Sequence, residues 1–169
     1  IFRRDLRLQD NRGLIEALKN SKKVMLIFIF TVKQVTNNSY KSDRAIEFMK
    51  QAISDIPYIN TFYGDEIDTL SNINVDYDAI YVNQDYTPFS IKRDKRIKKF
   101  CDDNNIGFHS YEDILLNPVN SVYTQSDTPY TKFTPYYNNV KTLPIDKPVN
   151  NRYTNYYKTN ISSYITINK

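Results

Sequence analysis

Apolar runs of strand length alternate with amphipathic stretches along this chain, a pattern that predicts a parallel α/β sheet. Its strongest element is Val24 to Phe30, a continuous apolar run of the kind that forms a central strand covered on both faces. Ile1 and Phe2 read as the tail of a strand whose start is missing, and without an initiator methionine the chain is expected to begin slightly inside its natural domain. Asp10 and Asn11 offer N-cap oxygens to a helix whose apolar positions Leu14, Ile15 and Leu18 recur at helical spacing, ending near Asn20. Ser42 or Asp43 caps a second helix with Ile46, Phe48, Met49, Ala52, Ile53 and Ile56 at the same period, and Pro57 stops it. Thr61 to Tyr63 and Ala79 to Val82 predict two further short strands. Pro88 opens a helix over Phe89 to Asp103 with Ile97, Phe100 and Cys101 facing inward, and Ile106 to His109 supplies one more extended segment. The expectation is a parallel five-stranded sheet flanked by helices over residues 1–119. Beyond Leu116 prolines recur at 118, 129, 135, 144 and 148, helical periodicity disappears, and Tyr and Asn dominate. Residues 120–169 therefore read as an irregular linker-like tail, too small for a second core.

Composition narrows the function classes. The longest apolar run is far shorter than the ~20 residues that span a bilayer, and no leader pattern opens the chain. Membrane and secretory readings fall, and an intracellular location is expected. A single cysteine, Cys101, and a single histidine, His109, leave no material for a disulfide, a Cys-rich zinc site or most His-based triads. Nineteen Asn, fifteen Tyr and four Ala suit A/T-rich codon usage, so isolated Asn and Tyr carry little weight. The net charge of +4 lies entirely in the tail: residues 1–119 hold 17 basic and 17 acidic side chains, and residues 120–169 hold 6 and 2. A local basic run over Lys92, Arg93, Lys95, Arg96, Lys98 and Lys99 would spread over more than one helical face, which favours a solvated surface over a phosphate-binding strip.

In open parallel sheets the ligand crevice lies beyond the carboxyl ends of the strands. Arg3-Arg4-Asp5, Phe28 to Thr31, Gly64-Asp65 and Asn83 to Tyr86 occupy such places, and Arg44 on the second helix is able to face them. Glycine occurs only at 13, 64 and 107, which excludes both a glycine-rich dinucleotide fingerprint and a P-loop. The crevice instead offers aromatic surface from Phe28, Phe30 and Phe48, one cation in Arg44 and one carboxylate in Asp85, a set suited to a polar heteroaromatic ring. The alternative, that Arg44 and Asp85 pair with each other or with the backbone, stays equally open.

The opening residues Ile1 to Asn11, IFRRDLRLQDN, resemble the N-terminal signature of the DNA photolyase and cryptochrome family. Ser42 to Ile56 resembles that family's second helix, Asn83 to Asp94 (NQDYTPFSIKRD) its Asn-Asp-Tyr-Pro…Arg-Asp block, and Pro129 to Pro135 (PYTKFTP) the segment leading toward its helical domain. The resemblance implies a Rossmann-like antenna domain, with the FAD-binding helical domain absent from this chain or supplied separately. By matching positions it implies antenna contacts from Phe28, Arg44, Phe48 and Asp85, and a deazaflavin or flavin chromophore. A folate antenna is disfavoured, because Phe89 and Ser90 stand where folate-type relatives carry an Asn-Glu pair. Thr31 and Val32 also depart from the family's Asp-Pro at the adjoining loop. No catalytic residue is expected here, and damaged DNA would be a partner only of the complete enzyme. Arg3, Arg4 and Arg7 are expected to pack rather than bind ligand. The leading expectation is the light-harvesting domain of a truncated or split photolyase. A stand-alone nucleotide-, flavin- or protein-binding module and an inactive remnant are the alternatives.

Overall fold

The computed structural model describes residues 1–40 and 42–162. In chain order its elements are α1 (Arg12–Asn20), β1 (Leu26–Phe30), α2 (Val32–Val35), α3 (Asp43–Ser54), β2 (Ile59–Tyr63), α4 (Glu66–Asn72), β3 (Ala79–Asn83), α5 (Pro88–Asp103), β4 (Gly107–Tyr111) and α6 (Phe133–Val140). The helix starts follow the capping chemistry. Asn11 Oδ1 accepts from Leu14 N at 3.0 Å, Ser42 Oγ from Ala45 N at 3.1 Å, and the Thr87 hydroxyl from Ser90 N at 3.2 Å.

The expected five-stranded sheet is not formed. Instead β1 pairs with β2 and β3 with β4, giving two parallel sheets of two strands each. The reason lies between them. Phe2 forms a single parallel bridge to Phe28, its N–H donating to Ile27 O at 2.8 Å, while the Ile1 amine donates to Tyr81 O at 2.7 Å. Those two residues join the pairs at a point but are too few to form a ladder with either neighbour.

The alternating side chains of β1 serve two cores, as a strand covered on both faces requires. Ile27 and Ile29 pack with Phe62, Leu70, Ile80, Ile97 and Cys101, under α4 and α5. Leu26 and Phe28 pack with Phe2, Leu14, Leu18, Ile53 and Ile56, under α1 and α3. Cys101 is fully buried, as its helical spacing from Ile97 predicts.

The irregular segment after β4 contains a short helix, α6, which no periodicity announced. Pro135 sits in its first turn, where a missing N–H costs nothing. Further on, the chain returns along the edge of the α/β unit. Val24 bridges Tyr156, with Val24 N–H donating to Asn155 O at 3.0 Å and Tyr157 N–H to Val24 O at 2.8 Å. Asn155 Nδ2 donates to Leu18 O at 3.0 Å and Ser21 O at 2.8 Å, satisfying carbonyls at the end of α1. Ile161 N–H donates to the buried Asn60 Oδ1 at 2.7 Å. The last part of the tail reading, residues 163–169, lies outside the described residues.

Candidate functional site

The carboxyl ends of β1 and β3, with the Arg3-Arg4-Asp5 turn between them, are organised by a buried polar network. Asn83 Nδ2 donates to Asp5 Oδ2 at 2.6 Å and Asn11 Oδ1 at 2.8 Å, and Asn83 Oδ1 accepts from Gly13 N at 2.8 Å. Arg3 N–H donates to Asp5 Oδ1 at 2.8 Å. The Arg3 guanidinium clamps Asp94 through both oxygens, at 3.0 and 2.7 Å, and reaches Asn83 O at 3.1 Å. Arg7 reaches Asp113 at 2.7 Å and Asp10 O at 2.6 Å. The arginines at 3 and 7 thus tie the opening turn to α5 and to the segment after β4, which is a structural task. Burial first, and the like charge of Arg93 second, lower the Arg3 pKa.

The four residues singled out for ligand contact occupy different surroundings. Phe28 is 3% exposed and stacks edge-on against Phe30, with ring centres 4.9 Å apart. It backs the site from within the core. Arg44 and Phe48 stand four residues apart on α3, on one helical face. Both are exposed, Phe48 at 72%, because α3 turns Ile53 to the core and leaves this face toward solvent. Arg44 has no hydrogen bond or ion pair among the described residues. Asp85 is half-hidden and engaged elsewhere: Arg4 Nε lies 3.6 Å from it, and its Oδ1 accepts from Thr87 N at 3.2 Å. Burial would push the Asp85 carboxyl up, but the Thr87 N–H, the Ser90 side chain and Arg4 together hold it below the usual carboxylate range. Arg44 and Asp85 therefore do not pair with each other, and a groove of about 270 Å³ lined by Asp85, Tyr86, Asp94 and Lys95 runs along α5, not α3.

At the Thr31-Val32 departure, Thr31 opens α2. Gln34 Oε1 accepts from the Thr31 N–H at 3.3 Å and the Thr31 hydroxyl at 3.1 Å, fixing the turn that follows β1. The basic run is mostly a solvated face: Lys98 and Lys99 pair with Asp102 and Asp103 one turn on, and Arg96 with Asp65. Arg93 is the exception, turned inward to 8% exposure. Its spacing of four from Ile97 and eight from Cys101 places it on the buried stripe of α5, a signal present in the sequence but obscured by the surrounding lysines. His109 is exposed and stacks on Tyr81 at 4.5 Å, without a nucleophile beside it. Among the described residues no group of three His, Cys, Asp or Glu is placed to hold a metal ion, and no helix is long and apolar enough to cross a membrane.

Comparison with known proteins gives the relatives of this fold. Among solved structures, a photolyase from Sulfolobus tokodaii superposes with a TM-score of 0.83 at 36% identity, covering 95% of this chain and 38% of that one. That structure is described as holding two FAD molecules, with the implication of a novel light-harvesting cofactor. A class III photolyase from Agrobacterium tumefaciens shares the fold, with a TM-score of 0.76 at 21% identity, covering 97% of this chain and 36% of that one. A deoxyribodipyrimidine photo-lyase of Alkalihalophilus pseudofirmus is 29% identical over 147 residues, covering 80% of this chain and 31% of the relative. An uncharacterised 31.6 kDa protein of a Synechococcus strain is 28% identical over 156 residues, covering 87% of this chain and 55% of the relative. The chain thus spans about half, or less, of the length of these relatives. The family description "DNA photolyase" matches residues 1–57 and 60–151, nearly the whole described fold, and the chain belongs to the DNA photolyase family.

Proposed function

We propose that this chain is the light-harvesting domain of a photolyase-type enzyme. It holds a flavin or deazaflavin at the carboxyl end of β1 and passes excitation to an FAD carried by a helical domain that is encoded separately or lies outside this sequence. The observation that carries the reading is the match to the Sulfolobus tokodaii photolyase over 95% of this chain, together with the light-harvesting cofactor described for that protein. In the complete enzyme the activity would be light-dependent repair of pyrimidine dimers, with damaged DNA bound through that complete enzyme.

The residues present fit such a group in chemistry. Arg44 supplies an uncommitted guanidinium, Phe48 on the same helical face an exposed ring, and Phe30 a partly buried ring backed by Phe28. An Arg beside an aromatic face suits a planar ring with anionic or carbonyl oxygens. Asp85, already held ionised by Thr87 and Arg4, remains an acceptor at the far side of the opening turn. The bound chromophore would supply absorption of light and transfer of excitation. The protein's own contribution is to bind and orient it, and no side chain is asked to move a proton. Co-expression with the helical half of a photolyase tests the reading. A stable complex with light-dependent dimer repair is expected, whereas neither complex nor repair would remove the split-enzyme reading.

A further inference from the structure

The outer edges of β2 and β4 differ in what covers them. On β2 the chain's own tail lies alongside: Thr61 N–H donates to Ser162 Oγ at 3.0 Å, and the neighbouring Asn60 Oδ1 accepts from Ile161 N at 2.7 Å. On β4 nothing does so among the described residues, where β3 is its sole strand partner. Gly107 N–H donates to Asp78 O and Gln84 N–H to Tyr111 O, both at 2.8 Å, which fixes the residues of β4 that face inward. Alternate residues of a parallel pair serve the partner, so Gly107, His109 and Tyr111 face β3, while Phe108 and Ser110 turn their N–H and C=O outward. Among the described residues these outward groups have no hydrogen-bond partner.

An open edge is ordinarily blunted by charge, proline or a bulge. β4, GFHSY, carries no lysine, arginine, carboxylate or proline, and its register with β3 runs unbroken from Gly107 to Tyr111. Beside this edge runs the groove of about 270 Å³ along α5. Ile91, Lys95 and Lys98 follow one face of the helix, and Tyr86, Phe108 and Ser110 complete the walls. The volume falls just below the ~300–1,000 Å³ of small-molecule pockets and suits a few side chains of an extended segment better than a whole cofactor. Charge selects the segment. Asp94 is held by Arg3 and Arg93, and Asp85 faces Arg4, so both carboxylates are already countered. Lys95 has no hydrogen bond or ion pair among the described residues, and Lys98 pairs with Asp102 in solvent, a contact of little worth. The uncommitted charge of the groove is therefore positive.

We propose that the open edge of β4 and the adjoining face of α5 form a docking groove for an extended acidic segment of a partner protein, which adds to the sheet as a further strand. Its backbone takes up the outward donors and acceptors of Phe108 and Ser110, and the period of two sends alternate side chains into the groove. α5 runs back from the carboxyl end of β3 to the start of β4, which places Ile91 and Tyr86 toward one end of the groove and Lys98 toward the other. The matching segment thus carries an apolar side chain for the first end and carboxylates, at alternate positions, for the lysines.

The test uses the full chain and a fluorescein-labelled hexapeptide, threonine-leucine-threonine-glutamate-threonine-glutamate, followed by fluorescence anisotropy. Saturable binding is expected at low salt, weakening as salt rises. The peptide with lysine in place of glutamate should bind at least about tenfold more weakly through like-charge repulsion. Of two further forms, one N-methylated at the threonines and the other at the remaining residues, one should lose at least about tenfold, because alternate N–H groups face the edge. Ser110→Pro removes an outward N–H at a position where an edge strand tolerates proline, and should weaken the acidic peptide to a similar extent with an unchanged urea midpoint. Lys95→Glu combined with Lys98→Glu, both exposed, should reverse the preference between the two charged peptides and covers a folding failure of the proline variant. No saturable binding of the acidic peptide, equal binding of its lysine counterpart, a preference untouched by the double reversal, or affinity indifferent to N-methylation overturns the proposal. Dimerisation of the chain at rising concentration, lost in Ser110→Pro, would assign the edge to a second copy and overturn it as well.

Discussion

Gly13→Ala sets two effects of opposite sign against each other, and the structure decides between them. Alanine in place of glycine in a helix ordinarily gains up to about 1 kcal/mol through the unfolded chain's entropy. Here the added Cβ would lie 2.6 Å from Asn83 Oδ1 and 3.2 Å from Val82 O. The Asn83 side chain cannot swing away freely, because it is held by Asp5 at 2.6 Å, Asn11 at 2.8 Å and Gly13 N at 2.8 Å. Overpacking costs about 1–3 kcal/mol, and losing the charge-assisted bond to Asp5 costs a further ~1.5–3 kcal/mol. The net expectation is a destabilisation of roughly 2–4 kcal/mol, a large share of the ~5–15 kcal/mol typical of a domain. Urea unfolding with an unchanged m-value measures it. In an Asn83→Ala background the closest obstruction is gone, so the same substitution should cost less than about 1 kcal/mol, and the double-mutant cycle should show coupling. A neutral or stabilising Gly13→Ala in the wild-type chain, or strict additivity in the cycle, would refute the packing argument.

Two further outcomes follow from the same geometry. Asp65 and Asp85 both have pKa values below the ordinary carboxylate value: burial raises each, but Arg96 and the Ile67 N–H outweigh it at Asp65, and Thr87, Ser90 and Arg4 at Asp85. A folded pKa below the unfolded one gives stability that is present above about pH 4 and is lost as pH falls through the folded values. The urea midpoint should therefore drop below that pH, and Asp85→Asn should flatten the acid limb; an unchanged limb would count against the assignment. Burial first, with Asp102 adding, pushes the Cys101 thiol up to about 11. A thiol reagent at pH 8 should react with native protein only as fast as the chain opens, and rapid labelling without denaturant would contradict the burial.

Local chemistry was the most legible part of this chain. The apolar run ending at Phe30 declares a strand, and the capping oxygens of Asn11 and Ser42 declare the helix starts, because each depends on residues a few positions apart. Two helices were hidden by brevity, α2 at four residues and α4 at seven, although Asp65 before Ile67 and Leu70 carried a readable cap for the second. The division of the sheet was not legible, since it depends on how few residues Ile1 and Phe2 contribute between β1 and β3. Long-range polar partners were equally out of reach. Asn83 meets Asp5 across 78 residues and Asn155 meets Leu18 across 137, and an Asn-rich composition gives no local sign of which asparagines are buried. At the site, Arg44 and Asp85 were legible as a cation and a carboxylate near strand ends. Their actual environments, one open to solvent and one bound to Arg4 and Thr87, follow from the packing of α3 and the start of α5.

The most direct test of the account is an equilibrium fluorescence and absorption titration of the chain with FMN, FAD and a deazaflavin, repeated with Arg44→Ala. The account predicts saturable one-to-one binding of at least one of them, about tenfold or more weaker in the variant through loss of a charged donor. Binding of none of the three, or affinity indifferent to Arg44, would contradict a light-harvesting site at the end of β1.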